Sequence, residues 1–290
     1  MAPTKKPAKK SAAKQQPAAK PAAKKAKQMP APAAPAAFQE APDEVIPVHD
    51  ASGAPAAAFV SCSAAGARKP SAAAAAAAAD PVNAAALGAP RLMVNAAERE
   101  LNGDHAVKAL ADFKRGFDEI TAGTFDALSA SDRANVVVAG GVVVSALHCE
   151  PGAASPNSDA DVFIHGLDEV AARAKVEALF AAFKAASPDA VALRTPHTLT
   201  VVLPYPKKLV QIILNLHATA AEAVHAFDVD VCGCYYDFDR VYATRRAARA
   251  LATRVNVAAP RRRSATFESR LLKYAKRGYE IAVPVKREFV

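Results

Sequence analysis

Up to about residue 90 the chain is mostly alanine, proline and lysine, with repeated proline interruptions and no sustained periodicity. Such a segment has too few large apolar side chains to offset its ordering entropy. Although 290 residues would ordinarily allow one or two domains, the folded part is therefore expected to be shorter than the chain. Residues 1–94 are expected to be a disordered tail and linker, with one domain over 95–290. Nine lysines and no acid fall in residues 1–38 (Lys5, Lys6, Lys9, Lys10, Lys14, Lys20, Lys24, Lys25 and Lys27), and without them 28 basic residues face 28 acidic ones. The net charge of +9 is thus a property of the arm. An arm of this kind binds nucleic acid or anionic surfaces by counterion release, serves as a nuclear address, or only solubilises; the sequence leaves these readings open.

No apolar core precedes a small-residue cleavage site, so a secretory leader is not expected. "SAAAAAAAAD" (71–80) is too short and too poor in large side chains to span a bilayer. The expectation is a soluble intracellular protein without a membrane role. Cys62, Cys149, Cys232 and Cys234 are too few and too irregular for a disulfide framework, and Cys232 and Cys234 read as small apolar core residues.

Within 95–120, Leu101, Ala106, Leu110, Phe113 and Phe117 recur at helical spacing, which predicts a leading helix. "NVVVAGG" is a short, continuously apolar strand, and "VVVSALH" after it fits either a strand or a helix. "DADVFIHG" predicts a second strand, and 167–186 the clearest helix, with Asp168 and Glu169 in its first turn. Three strand candidates follow, "AVALRTPH", "LTVVLPY" and "KLVQIILNL", bounded by Pro196, Pro204 and Pro206. Then come a short helix in "TAAEAVHAF", a hairpin from "VDVCGCYYD" to "RVYAT" over "DFDR", and a helix in "RRAARALATR". A last helix follows Pro260, with Ser264 placed to cap it and Gly278 to end it. No repeat of 20 to 50 residues is present. The pattern predicts an α/β (α+β) domain, a mixed sheet flanked by helices.

Two features of this pattern point to chemistry. Gly140 and Gly141, directly after a buried strand, permit a tight turn and a close approach of another group to the backbone. Asp159 and Asp161 are two apart on a strand, so both carboxylates project from one face, where a hard cation such as Mg²⁺ (or Mn²⁺) would hold them together. Backbone N–H groups at the glycine turn would meet the phosphates of a nucleoside triphosphate.

A strand ending in Gly-Gly, a short helix and a second strand bearing Asp-x-Asp resemble the nucleotidyltransferase fold of the polymerase-beta superfamily. The nearer likeness is to the head domain of CCA-adding enzymes and bacterial poly(A) polymerases, and "AFDVDVCGCYYD" (226–237) is similar to a later segment of those domains. "SDADVFIHGL", "HTLTVVLPYP", "LVQIIL", "FDVDVCGCYYD" and "RRSATFESRLLKYAKRGYEIAVP" also resemble an uncharacterised group of proteins from fungi and large DNA viruses, often known by attached ankyrin repeats. The resemblance spans about 135–285. It implies a metal pair in Asp159 and Asp161 and a phosphate-approaching turn in Gly140 and Gly141, with Ser158 grouped among the nucleotide-binding residues. It also admits a virus-encoded origin. The departures are Val144 and Ser145, where the head domains place an arginine and an aspartate, and Val142, where the superfamily often has serine. The third acid of the superfamily would fall in "LVQIIL", where Gln211 stands, which leaves that role to Asp230, to Asp228 or to no residue.

Arg270, Lys273 and Arg277 lie on one stripe of the last helix, opposite Phe267, Leu271 and Tyr274. With Arg261, Arg262 and Arg263 they form a basic cluster suited to triphosphate or to a nucleic-acid backbone, and Arg270 and Lys273 are the nucleotide-binding candidates. The histidines match no zinc spacing. Two functions follow as expectations. One is a metal-dependent nucleotidyltransferase acting on a hydroxyl acceptor, with Asp159, Asp161 and Asp230 as catalytic candidates. The other is an inactive transferase fold that binds nucleic acid or a protein through its basic segments.

Overall fold

The computed structural model describes residues 44–57, 59–61, 91–92, 106–149, 159–258 and 262–283. The expectations for the lysine arm, Arg261 and Ser158 lie outside the described residues.

The strands are β1 (Val45–Pro47), β2 (Val60–Ser61), β3 (Arg91–Leu92), β4 (Ala106–Val107), β5 (Val136–Ala139), β6 (Ala160–His165), β7 (Val191–Arg194), β8 (Thr198–Val202), β9 (Val210–His217), β10 (Cys234–Tyr236), β11 (Val241–Thr244), β12 (Val255–Val257) and β13 (Glu280–Ala282). The helices are α1 (Leu110–Thr121), α2 (Ala130–Arg133), α3 (Gly141–Leu147), α4 (Glu169–Ala186), α5 (Ala220–His225), α6 (Arg245–Thr253) and α7 (Phe267–Ala275), with short 3-10 turns at Thr124–Ala127 and Asp230–Cys232.

The fold is the expected mixed α/β arrangement. Eight strands form one sheet in the order β1-β11-β10-β5-β6-β9-β8-β7. Every neighbouring pair is antiparallel except β6 and β9, which run parallel. The central strand β5 is Val-Val-Val-Ala and buried on both faces, which is why its sequence runs apolar without alternation. Val136, Val138, Val162, Ile164, Val210, Ile212 and Tyr236 turn to one face, joining α3 (Val142 to Val144) and the rings of Phe113, Phe117 and Phe183 in the main core. Val137, Ala139, Phe163 and Tyr235 turn to the other, covered by Ala220, Ala223 and Val224 of α5. Asp161, in line with Phe163 and beside Ala139 on β5, belongs to this second face.

Several expectations hold in detail. The three strands after α4 pair in sequence, and Cys234–Tyr236 with Val241–Thr244 forms the expected hairpin, its turn held by Asp237 Oδ1 accepting from the N–H groups of Asp239 and Arg240. Asp168 caps α4, accepting from Ala171 N at 2.8 Å. Cys232 and Cys234 are buried free thiols. "VVVSALH", open from sequence, is helical.

Other expectations are corrected. The folded part does not begin near Asn95: Val45–Pro47 adds an edge strand to the large sheet, where Pro47 is tolerated because one side of an edge strand needs no donor. Arg91–Leu92 joins β13, which pairs in parallel with β12, in a small second sheet. The leading helix starts at Leu110, because Ala106–Val107 is extended and pairs with Val60–Ser61. On α4 the helical repeat of Val170, Ala174, Leu179, Phe180 and Phe183 predicts one inward face, yet Val170 is 80% exposed and the buried residues are Ala172, Leu179 and Phe183. Ser264 leaves Thr266 as the N-cap of α7 and turns its hydroxyl to Asp228 instead. Among the described residues no helix is long and apolar enough to cross a membrane.

Candidate functional site

Gly140 leaves β5 at φ 78°, ψ −142°, a backbone region open essentially to glycine alone. Its N–H donates to the Cys234 carbonyl at 3.0 Å and its carbonyl accepts from Val144 N at 3.1 Å, so the turn is fixed between strand and helix. A Cβ on Gly140 would stand 3.3 Å from Cε2 of Phe227 and 3.7 Å from Oδ2 of Asp161. The glycine turn and the inner aspartate therefore face each other, because Asp161 is the register partner of Ala139, the residue just before the turn.

Burial of Asp161, reinforced by the charge of Asp159, pushes its carboxyl from 3.8 up to about 7, with Arg270 and then Lys273 pulling the other way. Two carboxylates thus share one site at the start of β6, and the inner one lacks full countercharge. Across the parallel pair, Gln211 is the direct partner of Asp161, so an amide occupies the place next to the pair where the resemblance puts a third acid. Lys208, in the loop before β9, is buried near Asp159; burial lowers its ammonium and Asp159 raises it.

The last helix closes over the turn. Phe267, Leu271, Tyr274 and Ala275 of α7 are buried, and the Tyr274 hydroxyl lies 3.1 Å from where a Cβ of Gly141 would be. Burial pushes that phenol well above its ordinary range. Beside that buried face, the exposed Arg270 and Lys273 are the cations whose charges act on Asp161. The other described members of the basic cluster are engaged within the fold: Arg262 with Asp230 at 3.7 Å, Arg263 with Glu268, and Arg277 over the Tyr274 ring at 5.3 Å from its centroid.

Asp228 and Asp230, two apart and so expected to share a face if extended, lie instead on a bend leading into the turn Asp230–Cys232 and serve different partners. Asp230 is fully buried. It pairs with Arg246 at 3.3 Å, with Arg249, and with Arg262, and it accepts from Val257 N at 2.9 Å. Its carboxylate ties α6 to β12. Asp228 accepts from Ser264 Oγ at 2.5 Å and pairs with Arg270 at 3.3 Å. The structure thus brings together Gly140, Gly141, Asp159, Asp161, Arg270 and Lys273, and sets Asp230 in an arginine cluster of its own. Phe227 and Tyr274, which line the turn, had no signal in the sequence beyond being apolar.

Among the described residues no group of three or more histidine, cysteine or acidic side chains converges as a metal cage. The donor set fits Mg²⁺ in another manner. Two carboxylates, one with its pKa raised by burial and like charge, could supply the one or two protein ligands that Mg²⁺ takes when substrate phosphates complete its shell.

An α/β domain with a glycine turn opposed to an acid pair on adjacent strands is thus the class that fold and site define. A model of the Gabija anti-defense 2 (Gad2) protein family matches residues 111–254, a span that holds the turn and both acid pairs and stops before α7. An uncharacterised protein of Acanthamoeba polyphaga mimivirus is 28% identical over 166 residues, 52% of this chain and 36% of its own length. The chain therefore spans about a third of the curated relative it matches.

Proposed function

We propose that this protein is a metal-dependent nucleotidyltransferase, moving a nucleoside monophosphate from a nucleoside triphosphate to a hydroxyl acceptor. The observation that carries this reading is the opposition of the Gly140 turn and Asp161: a Cβ on Gly140 would stand 3.7 Å from Asp161 Oδ2, so side-chain-free backbone faces a carboxylate across adjacent strands. The turn would approach the phosphates, Arg270 and Lys273 would balance their charge, and Asp159 and Asp161 would hold a divalent ion. That ion supplies Lewis acidity at the α-phosphorus and neutralises the departing pyrophosphate. In the transfer, the acceptor oxygen forms a bond to the α-phosphorus as the bond from that phosphorus to the pyrophosphate oxygen breaks. The electron pair leaves with pyrophosphate, and the hydroxyl proton passes to the carboxylate pair, since Gln211 cannot take it.

The likeness to the Gad2 family supports a setting for this activity: a virus-encoded protein directed against a host defence. The mimivirus relative fits the same setting. Incubation of the full chain with labelled nucleoside triphosphates, Mg²⁺ or Mn²⁺ and host extract tests the reading. Label transferred by the protein, and abolished in Asp159→Ala with Asp161→Ala, is expected; transfer at the full rate in that double variant would remove the mechanism.

A second reading, a transferase fold without catalysis that binds a partner, is favoured by Gln211 beside Asp161. It predicts partner binding that is unchanged by Mg²⁺ and by both aspartate substitutions.

A further inference from the structure

We infer that Asp228 is a positioning residue: it fixes the guanidinium of Arg270 beside the acid pair so that this arginine receives a phosphate group of the nucleotide. It serves neither as a metal ligand nor as a base. The inference rests on the nucleotide-binding part of the reading above.

Asp228 is 3% exposed and follows Phe227, whose ring lies against Gly140. A single dipeptide therefore touches the glycine turn with one side chain and the last helix with the other. Oδ2 accepts from the Ser264 hydroxyl at 2.5 Å, while Oδ1 accepts no hydrogen bond and faces Nη1 of Arg270 at 3.3 Å as an ion pair. Arg270 is held from more than one side. Its Nη2 donates to Ser264 Oγ at 3.0 Å and to Thr266 Oγ1 at 3.1 Å, and its Nε donates to Thr266 Oγ1 at 3.2 Å.

The Arg270 side chain is nevertheless 44% exposed, and among the cations acting on Asp161 it is the strongest. With Nε and Nη2 held by hydroxyls, the donors left for a phosphate are those of Nη1, whose plane and direction are already set beside Asp228. Pre-ordering by Asp228 and Ser264 reduces the rotamer entropy lost when phosphate arrives. Were Asp228 to ligate a metal instead, Arg270 would lose its anchor. Its bond from Ser264 and its ion pair with Arg270 distinguish it from Asp161, whose carboxyl is only partly balanced.

The test uses the full chain with two probes, inorganic tripolyphosphate without metal and nucleoside triphosphate with Mg²⁺. Asp228→Asn and Arg270→Ala should each weaken tripolyphosphate binding about tenfold, the ratio equivalent to about 1.4 kcal/mol. The double variant should bind no more weakly than Arg270→Ala alone, because the two residues act as one unit. Ser264→Ala, at an exposed position, should give a smaller loss of about threefold and serves should Asp228→Asn fail to fold. In transfer, Asp228→Asn should raise KM for the nucleotide and leave the Mg²⁺ requirement unchanged.

Wild-type affinity in both Asp228→Asn and Ser264→Ala, fully additive losses in the double variant, or a raised Mg²⁺ requirement would overturn the inference. Tripolyphosphate binding with the coupled pattern but without any transfer would sink the transferase reading and leave the role of Asp228 standing. A wild-type chain that binds no tripolyphosphate would overturn both.

Discussion

The hydroxyl of Tyr274 stands 3.1 Å from the point at which a side chain on Gly141 would begin. That contact seats the last helix on the glycine turn, and through the helix it sets where Arg270 and Lys273 meet the acid pair. A residue 133 positions later in the chain thus explains why the turn has a second glycine, whereas the first is explained by its own backbone.

Gly141 is the first residue of α3, where alanine would ordinarily favour the helix by up to about 1 kcal/mol. Gly141→Ala is expected to lower the melting temperature instead, because Tyr274 has to give way. Adding Tyr274→Phe should recover most of the loss in the same thermal melt. Gly140→Ala should be worse, about 1 to 3 kcal/mol, and no second substitution should rescue it, since its backbone conformation itself excludes a side chain.

Asp161 imposes a pH dependence. Its folded-state pKa is raised to about 7 from an ordinary 3.8, so between those values the fold keeps a proton that the unfolded chain has released. Stability from this group is complete below 3.8 and is lost as pH rises through 7. Asp161→Asn should therefore be about as stable as wild type at pH ~4 and more stable by about 1 to 3 kcal/mol at pH ~8, read by urea denaturation without divalent ions.

His148 acts in the opposite sense. It is buried, its Nε2 shares a hydrogen bond of 3.0 Å with the Tyr279 hydroxyl, and burial followed by the charges of Arg254, Arg277 and Lys108 puts its pKa well below 6.5. The unfolded chain takes up a proton on acidification before the fold does, so this contribution is present above 6.5 and declines as pH falls below it. Melting temperature should drop from pH ~7 to ~5 in wild type, and His148→Gln should flatten that slope whatever its stability at neutral pH.

Removing Asp230 should destabilise far more than removing Asp228. Asp230→Ala leaves Arg246 and Arg249, both 4% exposed, without their anion, a change expected to cost about 3 to 5 kcal/mol in chemical denaturation. A catalytic role would instead predict a stable, inactive variant.

The local elements were legible where one short-range rule decided them. Continuous β-branched residues marked β5, and a capping aspartate marked α4. The edge strand Val45–Pro47 was not legible, because three extended residues in a proline-rich stretch become a strand only when β11 offers its free edge. The different fates of Asp228 and Asp230 were hidden for a similar reason. A spacing of two implies a shared face only if the backbone is extended, and here it bends at Asp228 and Val229 into the turn Asp230–Cys232.

By itself the sequence determined the α/β class, the order of most elements and the pairing of turn with acids, since periodicity and backbone freedom are properties of neighbouring residues. Only the tertiary structure decided which charges meet. Arg270 lies 42 positions from Asp228 and Arg249 lies 19 from Asp230, and which cation reaches which carboxylate depends on how α6 and α7 pack. In a partly desolvated interior, that choice separates the candidate chemical site from the charge cluster that holds the fold.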